Sequence, residues 1–189
     1  MPIRNEVVLP KRVVPQPTPN IFANGDCGAC VLGGLLGMTP AEVYPFFEFD
    51  PKEDINFQKM RQAIYHREKF DRRITNFPEW PQSFEAMRTY GNPARNQSMA
   101  WFDYVRMGLD GGYYAIANVD HSKRGMSPDH WVLICGVREV FPEEQGVIEQ
   151  QVLVSCSSRS TPDEEWVNVR DFLTERGGFN CYLARPAAR

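Results

Sequence analysis

No apolar run in the 189-residue sequence approaches the roughly 18 residues that a membrane-spanning helix needs. A membrane is therefore not an expected partner. Positive charge is not in excess: 21 Lys and Arg stand against 24 Asp and Glu, for a net charge of -3. Binding along a phosphate backbone usually leaves a basic footprint, so nucleic acid is not expected either. The start, Met1-Pro2-Ile3-Arg4-Asn5-Glu6, holds no apolar segment of the secretory kind. Cysteines are few and odd in number, five in all. With no leader in view, that count points to reduced thiols and a cytoplasmic setting. Repeats and low-complexity tracts are missing. The glycines lack a phosphate-binding spacing. Cys135, Cys156 and Cys181 are isolated, so no tetrahedral metal site is expected, and no cofactor.

What remains is an ordinary globular composition, 42% hydrophobic and 24% charged. At about 100–200 residues per domain, the length suits one domain with a lead-in. Residues 1–20 form that lead-in. Pro10, Pro15, Pro17 and Pro19 hold it extended, and Val7-Val8-Leu9 reads as a short edge strand. Residues 21–189 form the single domain.

Helices come first along the chain. Cys27 to Leu36 reads as a buried helix with Asp26 at the N-cap position and Gly37 as its C-cap. Gly33 and Gly34 within it point to close packing against another element. Thr39-Pro40-Ala41-Glu42 starts a second helix with a capping box, which ends before Pro45. A third is expected over Phe57 to Lys69, where Phe57, Met60 and Ile64 recur at helical spacing. Residues 76–97 read as a loop-rich excursion. A fourth helix is expected over 98–110, capped by Ser98. Strands follow at Tyr113 to Val119, Trp131 to Val137 and Val147 to Ser155. A short helix, Asp171 to Glu175, and a last strand, Asn180 to Ala184, complete the chain. The acidic run Asp163-Glu164-Glu165 reads as a loop. Helices first and sequential strands after them predict an α+β fold with helices on a mostly antiparallel sheet.

Two residues stand out chemically. Cys27 opens the buried helix, where free N–H groups and the helix dipole favour a thiolate and can receive an oxyanion. His130 leads into a core strand, where a rigidly held imidazole can serve as general base and then general acid. The plain alternative is that Cys27 is a small buried hydrophobe and His130 a hydrogen-bonded structural residue. His66 and His121 read as surface residues, and the four tryptophans as packing. Cys27-Gly28-Ala29-Cys30 also fits a redox motif by spacing, but no convincing strand precedes it.

Gly25-Asp26-Cys27-Gly28 opening a small-residue helix, the Gly37 turn, Gly111-Gly112-Tyr113-Tyr114-Ala115-Ile116-Ala117 and Asp129-His130-Trp131-Val132-Leu133-Ile134-Cys135-Gly136-Val137 occur in a telling order. Over about residues 20–160 the sequence resembles the papain-like cysteine peptidases, in particular the bacteriocin-processing-peptidase-like branch. The resemblance implies a papain-like α+β fold and hydrolysis of a peptide or amide bond in a peptide or protein substrate, through a thioester. It implies Cys27 as nucleophile and His130 as base. A second register makes Cys30 the nucleophile, with Asn24 in place of the family's oxyanion glutamine. In the first register Asn20 or Asn24 takes that role. The family's Asp or Asn, which orients the histidine from the end of the following strand, is missing from Val154-Ser155-Cys156-Ser157-Ser158. Ser155, Ser157, Asp163 and Asn168 are the substitutes in view. The alternative outcomes are a catalytically inactive papain-like binding or structural module, and a transferase that resolves the acyl-enzyme with an amine.

Overall fold

The apolar stretches of the second half carry too much hydrophobic surface for one covered face, and helices pack on both sides of the sheet they form. The computed structural model describes residues 2–17, 26–47, 55–65, 74–76, 95–120, 130–142, 146–157, 163–178 and 181–187. Its strands are β1 (Ile3–Val8), β2 (Ile74–Asn76), β3 (Tyr114–Val119), β4 (His130–Val140), β5 (Glu149–Cys156), β6 (Asp163–Asn168) and β7 (Cys181–Pro186). They form one sheet in the order β2-β7-β3-β4-β5-β6, with β1 alongside β4. Every described pairing is antiparallel. The helices are α1 (Cys27–Leu36), α2 (Pro40–Val43), α3 (Phe57–Tyr65), α4 (Arg95–Asp110) and α5 (Val169–Glu175), with a 3-10 turn at Tyr44–Phe46. No single described helix is long and apolar enough to cross a membrane. The fold is α+β, with a mostly antiparallel sheet.

Side-chain alternation along the strands divides the core in two. Trp131, Leu133 and Cys135 of β4 pack with Ala29, Leu32 and Leu35 of α1 and Met60 and Ile64 of α3. Val132 and Ile134 pack the other way, with Trp101, Phe102 and Val105 of α4 and Phe172 of α5. The continuous apolar run in β4 is what a strand buried on both faces requires. Trp131 and Trp101 are core residues, as their size suggests.

Several boundaries differ from those read in the sequence. β1 starts at Ile3 and is broken by a bulge between Arg4 and Val7, with Asn5 at φ 51°. Helix α4 begins at Arg95, so Ser98 lies within it, nearly buried, rather than capping it. The acidic run at Asp163 is strand β6, not a loop. It lies on the sheet's edge, where charged side chains are tolerated and discourage further pairing. Glu164 pairs with Arg12 at 2.6 Å and Glu165 with Arg176 at 2.6 Å. Strand β2 ends at Asn76, where the stretch read as loop begins. The third helix is described only to Tyr65, and His66, Trp80 and His121 lie outside the described residues.

Candidate functional site

The first turn of α1 is built around a buried carboxyl group. Asp26 occupies the N-cap position, but its side chain does not cap the helix. It is fully buried, and its Oδ1 accepts a hydrogen bond from the Tyr44 hydroxyl at 2.6 Å. The Asp26 carbonyl accepts from the Cys30 N–H at 2.8 Å. The N–H groups of Cys27, Gly28 and Ala29 therefore precede the first intrahelical bond. Gly28 lets this turn press on Ile55: a Cβ there would stand 2.7 Å from Cβ of Ile55. The Ile55 carbonyl in turn accepts from Nε1 of Trp131 at 2.8 Å. The start of α1 is thus tied to the start of β4.

A strap formed by residues 9–17 ties α1 to β5. The Leu9 N–H donates to the Cys135 carbonyl at 2.8 Å and the Val14 N–H to the Cys30 carbonyl at 3.1 Å. The Val13 N–H donates to Ser155 Oγ at 3.2 Å, and Gln16 Nε2 to Ser157 Oγ at 3.5 Å. Gly34 is what admits the strap, since a Cβ there would run into the Arg12 carbonyl.

Cys30 belongs to this seam. Its thiol donates to the Pro15 carbonyl at 3.6 Å. Burial pushes it up to about 12, against a smaller lowering by a hydrogen bond with Ser157 and with small raising contributions from Asp26 and Cys27. A thiol so held stays protonated at neutral pH, which makes Cys30 a poor attacking group. Cys135 is pushed up to about 12 and Cys181 higher still, in both cases chiefly by burial. Cys27 is buried, at 5% exposure, in the core cluster on the α1 face.

His130 is nearly buried. The structure places the Cys156 thiol against it, with Nε2 of His130 3.0 Å from Sγ of Cys156. The sheet register explains the contact. His130 pairs with Val119 and Cys156 with Val132, and both valines face α4 and α5. Imidazole and thiol therefore emerge side by side on that face. Cys27 belongs to the other face. His130 is the first residue of β4, however, and the first turn of α1 overlies the same end of the sheet, through Cys30 and Ser157.

The same register sorts the substitutes for the orienting residue. Ser155 and Ser157 face α1 and bind the strap. Asn168 is at the far end of β6, where its Oδ1 caps α5 by accepting from the Arg170 N–H at 2.9 Å. Asp163 stands opposite Cys156 in the β5–β6 pairing. Cys156, which the sequence reading did not consider for that role, lies against the ring. Asn20, Asn24 and Asp129 lie outside the described residues. Among the described residues, no group of three His, Cys, Asp or Glu could hold a metal ion.

Fold and site together define an α+β chain with a histidine–thiol pair at the sheet end that carries a second thiol on a helix N-terminus. No family model, curated protein or solved structure matches the chain.

Proposed function

We propose that the chain is a cysteine peptidase or amidase of papain-like arrangement, acting on a peptide or protein substrate through a thioester. The observation that carries this reading is the 3.0 Å contact between His130 and Cys156, at the end of the strand from which the family orients its histidine. In the tautomer whose Nε2–H faces Cys156, Nδ1 is the nitrogen that takes up and gives back a proton. In this reading His130 takes the proton of Cys27, and the thiolate attacks the substrate carbonyl. The N–H groups of Cys27, Gly28 and Ala29 receive the oxyanion. His130 passes the proton to the leaving amine as the C–N bond breaks. Water then attacks the thioester, giving its proton back to the imidazole, and the acid leaves as the Cys27 thiol reforms. Five free thiols support work in a reducing, cytoplasmic setting.

A second reading is favoured by the same contact. Cys156 is only partly buried, whereas the other four cysteines are buried. In that reading Cys156 itself attacks.

Iodoacetamide labelling followed cysteine by cysteine across pH separates the two. The proposed reading expects Cys27 to label well below the free-thiol value of about 8.5, and at least about tenfold more slowly at pH 7 in His130→Ala. It also expects Cys27→Ala to abolish cleavage in a peptide-library assay. If cleavage survives Cys27→Ala but not Cys156→Ser, the second reading replaces it. If all five cysteines label slowly and ignore His130, the chain is a binding module.

A further inference from the structure

We propose that Cys156 is a peroxide-reactive modification site, and that its oxidation releases His130. Three observations meet at this residue. Its sulfur lies 3.0 Å from an imidazole nitrogen, within reach for the thiol proton to pass to Nε2. It is the cysteine that reaches solvent in part, while Cys27, Cys30, Cys135 and Cys181 are buried. It also sits where a hydrolase of this arrangement would place an unreactive amide or carboxylate, so orienting the ring does not by itself call for a thiol.

The reaction balances with hydrogen peroxide as co-reactant. The thiolate sulfur attacks one peroxide oxygen and the O–O bond breaks. Sulfur is oxidised by two electrons to the sulfenic acid. The peroxide is reduced, and the leaving hydroxide takes the imidazolium proton to become water. A low-molecular-weight thiol reverses the step, first forming a mixed disulfide with loss of water and then, with a second thiol, regenerating Cys156. In the proposal the new oxygen enters on the side facing Nε2, where a 3.0 Å S···N contact leaves no room for it, and the ring gives way. The site rests on the contact and on the partial exposure of Cys156. Its consequence for catalysis rests on the proposed hydrolase reading.

The test exposes the full-length protein to hydrogen peroxide in the presence of dimedone, which traps sulfenic acids, and maps the adducts by mass spectrometry. Cys156 is expected to carry the first adduct, and His130→Gln to slow its formation at pH 7 by about tenfold, in line with the few per cent of thiolate in an unassisted thiol. A first adduct on another cysteine overturns the proposal, as does a Cys156 rate indifferent to His130→Gln. Circular dichroism of both variants separates these results from misfolding. In a second arm without dimedone, peroxide should slow Cys27 alkylation in the unaltered chain, reversibly with dithiothreitol, but not in Cys156→Ser. Cys156 adducts without any effect on Cys27 would uphold the modification site and count against the hydrolase reading instead.

Discussion

A carboxyl group with no exposure to water has to be satisfied inside the protein, and Asp26 is satisfied in part by Tyr44. Tyr44 is itself 5% exposed, so Tyr44→Phe keeps the packing and removes one donor. The expected loss is about 1–3 kcal/mol, measured as a lower urea midpoint with an unchanged slope. At this scale the sequence was partly legible. The position of Asp26 before the helix could be read directly, but its partner, 18 residues on, could not. Cys156 was missed for a different reason. The residue types that usually orient a histidine are oxygen acceptors, and near the end of β5 those are Ser155, Ser157, Asp163 and Asn168. Counting by twos along the strand would have corrected the omission. Val152, Val154 and Cys156 share a face with His130, and the two serines point the other way.

Elements were most legible where a strong local signal existed. Helix α2 forms as its Thr39–Glu42 capping box dictates, with both reciprocal hydrogen bonds present. Helix α1 ends at Gly37, which adopts the left-handed conformation expected of a C-cap, at φ 71°. Strand β6 was illegible because its stability comes from a neighbour: every residue from Asp163 to Asn168 pairs with β5. Local charge said loop, and the sheet edge overrode it. The buried elements also set a pH limit. Cys30, Cys135 and Cys181 are held protonated in the folded chain, against an ordinary value of 9.0. Above that value the unfolded chain loses these protons and the folded chain keeps them. Stability should therefore fall as pH rises from about 9 toward 12, by up to about 1.4 kcal/mol per pH unit for each thiol. Urea unfolding at pH 8, 9 and 10 checks this, and Cys135→Ala should make the decline shallower.

At the scale of the whole molecule, the first residues and the last strands depend on one another. Residues 2–17 supply β1 to β4 and lay the strap across the seam between α1 and β5. Val13 is 3% exposed, a core residue contributed by the lead-in. Deleting residues 2–17 should therefore unseat α1 rather than trim a tail, with a loss of cooperative thermal unfolding by circular dichroism. A cooperative transition that persists would show the strap to be dispensable. The strap has a further consequence, in time rather than in space. Val13 and Ser155 are 142 positions apart, and Lys11 and Tyr114 are 103 apart. During synthesis the strap emerges from the ribosome long before the sites that receive it have been made. Closing so large a loop is slow, and α1 stays unsealed until it closes. Residues 9–17 are synthesised well before the partners that receive them and wait longest for their place.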